Sequence, residues 1–359
     1  MSLSVHIRKK LGNFQLSVDL EHPGGVTGLL GASGCGKSMT LKSIAGIERP
    51  DEGRIVLDGR VLFDSEKKIN LRPQERKVGY LFQNYALFPN MTVEKNILCG
   101  LSGEKDRGRR KQKMEDMLEK MNLSEQRKLY PAQLSGGQQQ RTALARMLVS
   151  EPEVLLLDEP FSALDTYLRE QLQIQVKDIL AGYGKDVLLV SHSRDEVYYL
   201  CGRTAVMDKG RILKTDETKK LFADPGSRAG AELTGCKNIA KARKIGEYEV
   251  EVPDWGICLR TGKPVREDVC AVGLRAHYFN PKARENIFPV VYSSEREEPF
   301  EMRILFRYEG QKEGSPDLWW RIPKDRSPQI MPEKLGIAPQ NVLLLYPEQT
   351  QEEKFETKK

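Results

Sequence analysis

The segment Gly31-Ala-Ser-Gly-Cys-Gly-Lys-Ser38 decides how the rest of this sequence is interpreted. An apolar run at residues 26–30 precedes it and helix-forming residues 39–45 follow, so the pattern G-x-x-x-x-G-K-[ST] stands between a predicted strand and a predicted helix. Glycines let such a loop approach a ligand closely, and its successive N–H groups surround an anion at the positive end of the helix. The pattern therefore predicts a nucleoside triphosphate site, in which Lys37 reaches the β- and γ-phosphates and Ser38 contacts Mg²⁺. The candidate nucleotide-binding residues here are Gly31, Ala32, Ser33, Gly34, Cys35, Gly36, Lys37, Ser38 and Met39.

The composition is that of an ordinary globular protein. Of 359 residues, 39% are hydrophobic and 30% are charged, and this length accommodates one large α/β domain and a smaller one. The formal net charge of +6 is modest, so it demands neither a nucleic acid nor an anionic membrane as partner. Six scattered cysteines without C-x-x-C spacing indicate reduced thiols in a cytoplasm rather than disulfides or a zinc site. No apolar run approaches the ~20 residues that span a bilayer, and charges near the N-terminus argue against a signal peptide.

Two adjacent carboxylates, Asp158 and Glu159, follow an apolar run at residues 154–157. Such a run indicates a strand buried on both faces, and ligands of α/β sheets bind beyond the carboxyl ends of the strands. We therefore expect Asp158 to coordinate Mg²⁺ and Glu159 to orient a water molecule. The alternative is an acidic strand end that serves only as a helix cap, and the nearby phosphate loop favours the catalytic interpretation.

His192 is one of four histidines and the only one at the tip of a predicted core strand, residues 186–190. A lone histidine is usually structural, but this position favours a contact with the γ-phosphate, to which imidazole can donate a hydrogen bond. Phe14 has two interpretations, stacking on a nucleotide base or packing in the core, because it belongs to an alternating apolar pattern over residues 4–20.

A second helix start able to hold an anion is predicted within Leu134-Ser-Gly-Gly-Gln-Gln-Gln-Arg141. Two glycines follow a serine immediately before the helix-forming run at residues 142–150. A Ser-Gly-Gly turn before a helix is also common without any ligand, so the segment alone leaves both interpretations open.

The pattern of apolar residues predicts two domains and a tail. Residues 1–230 are expected to form an α/β domain, and its part at about 84–150 is expected to be mostly helical because Met114, Met117, Leu118 and Met121 fall at helical spacing. Residues rich in helix and strand breakers place a boundary near 225–236. Short alternating runs over about 236–350 predict a small β-barrel or sandwich, and the charged residues 351–359 predict a disordered tail.

Five motifs together resemble those of the ATP-binding-cassette transporter ATPases, over about residues 1–225. In order, they are the phosphate loop, Leu-Ser-Gly-Gly-Gln at 134–138, the Asp158–Glu159 pair, Ser-Ala-Leu-Asp at 162–165, and His192. The resemblance implies an α/β phosphate-loop NTPase core of RecA-like fold with a helical subdomain, followed by a small all-β domain related to oxyanion-binding folds. It also implies ATP and Mg²⁺ as cofactors and ATP hydrolysis as the activity.

The resemblance assigns roles to further residues. Gln83 matches the glutamine that contacts Mg²⁺ and the attacking water and senses the γ-phosphate, while Glu159 matches the general base. Asp165 resembles the aspartate that crosses the dimer seam. The segment Ser135, Gly136, Gly137 and Gln138 would bind the γ-phosphate of ATP held by the other subunit, so a C2 homodimer would contain two identical composite sites.

The residues from Asn84 to Asn96 resemble a segment of importer ATPases. In those proteins, the segment lies in the groove where a membrane subunit binds. The resemblance implies two permease subunits contacted near Asn84 to Pro89, an extracytoplasmic solute-binding protein, and a peripheral location on the cytoplasmic face of the membrane. Residues 10–20 and 53–64 resemble molybdate importers, which favours molybdate or a related oxyanion such as tungstate or sulfate. The alternatives are another solute, such as a sugar, polyamine or iron, or a soluble cassette ATPase acting on nucleic acid, which the single cassette and modest charge disfavour.

Overall fold

The computed structural model describes residues 2–162 and 166–348. The chain divides into two compact units, Met1–Thr218 and Lys219–Lys359. Over the described ranges, none of the helices combines the length and the apolar character that are needed to cross a membrane.

The first unit is built on strands and helices that alternate along much of the chain. Its strands are β1 (Leu3–Leu11), β2 (Phe14–His22), β3 (Val26–Gly31), β4 (Glu52–Leu57), β5 (Arg60–Asp64), β6 (Ile69–Asn70), β7 (Val78–Leu81), β8 (Val154–Asp158), β9 (Asp186–Ser191), β10 (Arg203–Asp208) and β11 (Arg211–Glu217). Its helices are α1 (Lys37–Ala45), α2 (Val93–Cys99), α3 (Arg107–Lys120), α4 (Gly136–Leu148), α5 (Thr166–Tyr183) and α6 (Arg194–Leu200), and α7 (Thr218–Ala223) follows where the units divide.

One mixed sheet organises the first unit, with strand order β6-β5-β4-β1-β2-β11-β10-β3-β9-β8-β7. Strands β10, β3, β9, β8 and β7 run parallel, whereas β1 pairs antiparallel with β2 and β4. Every residue of β8 and β9 is buried, as expected for parallel strands covered on both faces. The carboxyl ends of the parallel strands therefore lie along a single edge, where ligands of α/β sheets bind.

A hairpin turn from the end of the first unit supports the phosphate loop. Strands β10 and β11 are joined by Lys209 and Gly210, whose φ angles are 43° and 82°, as in the tight turns that match strand twist. The Gly210 N–H donates to the Cys35 carbonyl over 3.0 Å, and the Ser17 N–H donates to the Gly210 carbonyl over 2.7 Å. The turn thereby connects the phosphate loop to β2.

The region predicted to be mostly helical contains α2, α3 and α4. Asp106 caps α3 by accepting hydrogen bonds from the N–H groups of Gly108 and Arg109. Met114 and Leu118 on α3, and Met121 just after it, are buried, so the predicted helical spacing corresponds to the packed face.

The second unit begins with a helix and continues as strands. Helix α8 (Arg228–Leu233), capped by Ser227, occupies part of the segment expected to be a linker. The strands are β12 (Asn238–Lys241), β13 (Arg243–Gly246), β14 (Glu249–Val252), β15 (Ile257–Arg260), β16 (Ala271–Leu274), β17 (Ile287–Glu297), β18 (Glu301–Tyr308), β19 (Leu318–Pro323), β20 (Lys334–Gly336) and β21 (Val342–Leu345). They form the sheets β12-β16-β21, β13-β14-β15 and β19-β18-β17-β20. Their shared core includes the fully buried Trp320 and Phe306.

Candidate nucleotide-binding and catalytic site

The phosphate loop joins the end of β3 to the start of α1. Gly34 and Gly36 have φ angles of 78° and 107°, a left-handed region that residues with a side chain adopt only with strain. A Cβ at Gly36 would also lie 2.6 Å from Leu16 Cδ1. Lys37 Nζ donates to the carbonyls of Gly31 and Ala32, over 2.9 and 2.8 Å. Lys37 thus folds back onto the loop and stabilises it by binding two of its carbonyl groups.

A cleft of about 340 Å³ opens over this loop. Its walls are Leu11, Phe14, Ser33, Gly34, Gly36, Lys37, Ser38, Met39, Gln83 and Glu159. Gly31, Ala32 and Cys35 are not among these walls: the first two accept hydrogen bonds from Lys37 through their carbonyls, and Cys35 is buried. Burial raises the pKa of Cys35 above its usual value. Phe14 both borders the cleft and packs against the core, so its two sequence interpretations are compatible.

Asp158 accepts a hydroxyl hydrogen bond at each of its carboxylate oxygens. Ser38 Oγ donates to Oδ1 and the Tyr80 hydroxyl donates to Oδ2, each over 2.7 Å. Burial, and next the bond to Asp158, raise the pKa of Tyr80 well above its usual range, so the phenol keeps its proton. Sequence reasoning missed Tyr80, because it belongs to the alternating pattern of β7 and looks like an ordinary core residue.

The oxygen atoms around Ser38 suit Mg²⁺. The ion prefers a few protein oxygens together with phosphate and water oxygens, rather than a cage made entirely of protein ligands. Ser38 offers a hydroxyl oxygen and Asp158 a carboxylate, and Gln83 lines the same cleft with a side-chain amide. The described residues hold no cluster of three or more His, Cys, Asp or Glu that could bind a metal.

Glu159 lies at the centre of a second cluster. Its Oε2 is 3.2 Å from Gln83 Nε2 and 3.3 Å from His192 Nδ1. The residue has a φ of 47°, an unfavourable conformation held by hydrogen bonds: its N–H donates to the Val190 carbonyl over 3.0 Å, and its carbonyl accepts from the Ser162 hydroxyl. The backbone turns at the end of β8, and the side chain of Glu159 thereby contacts Gln83 and His192.

The backbone around His192 is held by a buried carboxyl that sequence reasoning also missed. Ser191 Oγ donates to Glu196 Oε2 over 2.6 Å, and the Ser193 N–H donates back to Ser191 Oγ over 2.8 Å. Burial raises the pKa of Glu196, which is 6% exposed. A carboxyl at the third residue of a helix gives no sequence signal, since acidic residues are common in the first turn of helices.

The second predicted anion site lies outside the cleft. Ser135 caps α4 in a reciprocal arrangement, accepting from the Gln138 N–H while its own N–H donates to Gln138 Oε1 over 2.9 Å. None of Ser135, Gly136, Gly137 and Gln138 lines the cleft of the same chain. Asp165 lies outside the described residues.

The segment predicted to contact permeases, Asn84 to Pro89, follows Gln83 directly. Tyr85 is buried, whereas the Phe88 side chain is 46% exposed. The structure thus brings together Ser38, Asp158, Glu159, Gln83 and His192 at the carboxyl edge of the sheet, and leaves the α4 start and the Phe88 ring exposed elsewhere.

Comparisons with known proteins identify the family that this chain resembles. A family model described as ABC transporter matches residues 14–162. A putrescine transport ATP-binding protein of Escherichia coli (strain K12) is 42% identical over 219 residues, or 61% of this chain and 56% of that protein. A molybdenum import ATP-binding protein of Paramagnetospirillum magneticum is 40% identical, over 65% of this chain and 63% of that protein. A probable sulfate/thiosulfate import ATP-binding protein of Chlorella vulgaris is 39% identical, over 65% of this chain and 98% of that protein.

A solved structure of an ATP-binding cassette matches the fold of this chain. The dimeric ATP-binding cassette MJ0796, in a post-hydrolysis state bound to ADP and Pi, matches with a TM-score of 0.51 and 26% identity, over 61% of this chain and 99% of that chain. This chain spans less than two thirds of the putrescine and molybdenum relatives and nearly all of the Chlorella relative.

Proposed function

This chain belongs to the ABC transporter family of ATP-binding proteins, and from that premise we propose that it hydrolyses ATP as the energy-coupling subunit of a solute importer. The observation that carries the proposal is the contact of Glu159 Oε2 with both Gln83 and His192, beside a phosphate loop. Relatives named as import ATP-binding proteins support import rather than export.

In the proposed reaction, the phosphate loop and Lys37 bind the β- and γ-phosphates of ATP. Glu159 accepts a proton from a water molecule, whose oxygen bonds to the γ-phosphorus as the bond from that phosphorus to the β–γ bridging oxygen breaks. Gln83 orients the water, and His192 donates to a γ-phosphate oxygen. Bound Mg²⁺ would offset charge on the β- and γ-phosphates, with Ser38 and Asp158 holding it. The products are ADP and inorganic phosphate.

The proposed active species is a homodimer. The start of α4 lies outside its own chain's cleft, yet it carries the Ser-Gly-Gly segment that can receive an anion. A second copy related by a two-fold axis would place Ser135 to Gln138 on the γ-phosphate, and Asp165 at the seam. The dimeric solved cassette supports this arrangement.

The partners we propose are two membrane permease subunits, which contact the Asn84 to Pro89 segment, and an extracytoplasmic solute-binding protein. The protein would then lie on the cytoplasmic face of the membrane. The half-exposed Phe88 ring offers an apolar contact at this place, which supports the assignment. Nucleic acid is not among the proposed partners, since the net charge of +6 is small for this length.

For the solute we propose molybdate or a related oxyanion, as the sequence resemblance indicated. The molybdenum import relative at 40% identity supports this choice. The putrescine transport relative at 42% identity favours a polyamine as the second candidate. The test is ATPase activity of the full chain purified with its permeases and solute-binding protein: molybdate should stimulate it and putrescine should not, and the reverse result would select the polyamine.

We further propose that the strands of the second unit, at about 236–350, regulate transport by binding the oxyanion. Isothermal titration of the full chain with molybdate, tungstate and sulfate tests this proposal. Heat from binding at a single site per chain is expected, and no heat with any of the three would assign these strands a structural role.

The proposed base is tested by Glu159→Gln. This change removes the proton acceptor but keeps the shape and the amide contacts, so ATP should still bind and turnover should fall by roughly 100-fold or more. ATP hydrolysis and fluorescent-nucleotide binding by the purified chain measure the two effects. Glu151→Gln is the matched control, because Glu151 is exposed and pairs with Lys113. A hydrolysis rate unchanged by Glu159→Gln would exclude Glu159 as the base.

A further inference from the structure

Both chain neighbours of His192 are tied to one buried carboxyl on α6. Ser191 Oγ donates to Glu196 Oε2 over 2.6 Å, and the Ser193 N–H donates to Ser191 Oγ over 2.8 Å. The Ser191 hydroxyl therefore gives its proton to the carboxyl and accepts a hydrogen bond from the backbone on the other side of His192. Glu196 thus fixes the short segment that carries the imidazole.

The Glu196 carboxyl is not required to cap its helix. Ser193 already caps α6, because its side chain accepts a hydrogen bond from the Glu196 N–H. Burying a carboxylate costs free energy that a neutral amide of the same shape would not cost. A buried acid close to two predicted catalytic residues, His192 and Glu159, therefore indicates a role in the site.

The charged groups around Glu196 connect it with the reaction site. Burial raises the pKa of its carboxyl above the usual value, Arg169 of α5 and His192 favour the ionised form, and Glu159 opposes it. The Cys201 thiol at the end of α6 stays neutral, because burial and then Glu196 raise its pKa to about 12. Since the interaction of two charges is mutual, an ionised Glu196 also favours the charged form of His192.

The imidazole needs that charge to make two contacts at once. His192 Nδ1 lies 3.3 Å from Glu159 Oε2, so Nε2 is the nitrogen that remains for a γ-phosphate oxygen. A protonated imidazole donates from both nitrogens, whereas the neutral ring donates from only one. Hydrogen bonds to Glu159 and to the γ-phosphate therefore require the charged ring.

We infer that Glu196 is a positioning residue, which holds the backbone around His192 and keeps the imidazole charged, so that the ring donates to the γ-phosphate. This inference rests on the proposed function, because it assumes that His192 contacts the γ-phosphate of ATP. Glu196 acts through Ser191 and through its charge, so its loss should affect turnover rather than ATP binding.

The experiment compares ATP hydrolysis by the full chain and by Glu196→Gln at saturating MgATP, from about pH 6 to about pH 9. Glutamine keeps the shape and an acceptor for Ser191 but removes the charge. The rate ratio of parent to variant should rise at least about fivefold over this range, because the uncharged side chain lets His192 lose its proton at lower pH. A constant ratio would overturn the inference, since a merely structural defect lowers the rate equally at every pH.

Two conservative variants separate the charge from the hydrogen bond. Glu196→Asp keeps the charge, so its rate ratio to the parent should vary with pH by less than about twofold; a rise equal to that of Glu196→Gln would overturn the inference. Ser191→Ala keeps the carboxyl but removes its link to the segment, and it should lower the rate by roughly threefold or more. An unchanged rate would contradict the positioning role.

A double-mutant cycle tests whether Glu196 acts through His192. In a chain that already carries His192→Ala, adding Glu196→Gln should lower the residual rate by less than about twofold and without a pH dependence. A further loss as large as in the parent would overturn the inference, since independent defects add.

Asp195→Asn is the matched control, because it makes the same acid-to-amide change in the same helical turn at a side chain that is 86% exposed. Its rate should stay within about twofold of the parent at every pH, and a pH-dependent ratio would overturn the inference. Fluorescent-nucleotide binding by Glu196→Gln should also stay within about twofold, and a larger loss would contradict a role in turnover. If the parent hydrolyses no ATP, or if His192→Ala is as active as the parent, the proposed function fails; if only the ratio is constant, the Glu196 inference alone fails.

Discussion

Asp158 shows how a single carboxylate is oriented by two hydroxyl groups. Ser38 belongs to the helix after the phosphate loop and Tyr80 to strand β7, so the carboxylate is held from two different elements. In the proposed site, Ser38 turns to a metal and a phosphate, whereas Tyr80 has no such role. On that proposal, Tyr80 is the donor that keeps the carboxylate oriented when a nucleotide binds.

The change Tyr80→Phe tests this view of Asp158. It removes one hydroxyl and keeps the ring, so Mg²⁺ affinity of the ATP-loaded chain should fall roughly tenfold, as is usual when a partner of a metal ligand is removed. Binding of Mn²⁺ measured by electron paramagnetic resonance reports the affinity directly. Metal-free ATP binding should stay the same.

Tyr183→Phe is the matched control for Tyr80→Phe. The Tyr183 hydroxyl donates to the Pro152 carbonyl and does not border the cleft. An equal loss of Mn²⁺ affinity in both variants, or none in either, would contradict the role given to Tyr80.

The sequence predicted the site residues whose spacing follows a motif, and it missed those whose role arises only from packing. Gly31 to Ser38, Asp158 and His192 follow predicted strands, so the topology rule for parallel sheets places them at one edge. Tyr80 acts through a partner, Asp158, that lies 78 residues away in the chain. Its sequence surroundings resemble those of a core residue, so nothing local distinguishes it.

Helix α1 is held at both of its ends. The phosphate loop leads directly into its first turn. At its other end, the carbonyls of Ser43 and Ile44 accept hydrogen bonds from Arg76 over 2.9 and 2.8 Å. The Arg76 guanidinium is fully buried and also donates to Leu71 and Asn70. A cation at the carboxyl end of a helix opposes the helix dipole, so this residue stabilises the element that presents Lys37.

Arg76→Met should lower the free energy of unfolding by about 3 kcal/mol, because it leaves several buried acceptors without a donor. Urea denaturation followed by circular dichroism measures the change. Arg8→Met, at an exposed ion pair with Glu52, should change it by less than about 0.5 kcal/mol. Stability of Arg76→Met equal to that of Arg8→Met would contradict this account.

Gly46→Ala should also destabilise the chain, since its Cβ would lie 2.5 Å from Arg76 Nε.

At the scale of elements, the fold class is confirmed: an α/β cassette is followed by strands in the C-terminal region. Alternating apolar runs at residues 247–252, 300–306 and 318–322 predict strands, and β14, β18 and β19 lie within a few residues of these runs. No such run predicts strands β12, β13, β17 and β20. The first two and β20 each contain a single Ile or Leu, so no alternation marks them. Strand β17 contains Pro289 and ends in exposed charged residues, so no alternation marks it either.

At the scale of the whole molecule, the proposed composite site predicts complementation between two inactive variants. Lys37→Ala damages the phosphate loop, and Ser135→Arg blocks the anion site of α4. In a mixed dimer both defects fall in one composite site and the other site is intact. A 1:1 mixture should therefore recover up to roughly a quarter of the normal ATPase rate, since half of the dimers are mixed and each retains one of two sites.

The measurement is ATP hydrolysis by each variant alone and by the mixture at equal total protein. Mixing Lys37→Ala with Lys37→Ala,Ser135→Arg is the control, because no dimer in that mixture contains an intact phosphate loop. No recovery in the first mixture, with dimers present, would contradict a site shared between chains.

The position of β3 in the sheet has a consequence for synthesis on the ribosome. Its two neighbours, β9 and β10, come from residues 186–208, and the turn at Gly210 supports Cys35. The phosphate loop is translated before these supports and has to wait for them, since the contacts require closure of a long stretch of chain. A nascent chain that ends before Gly210 therefore has the full motif without the contact that supports Cys35.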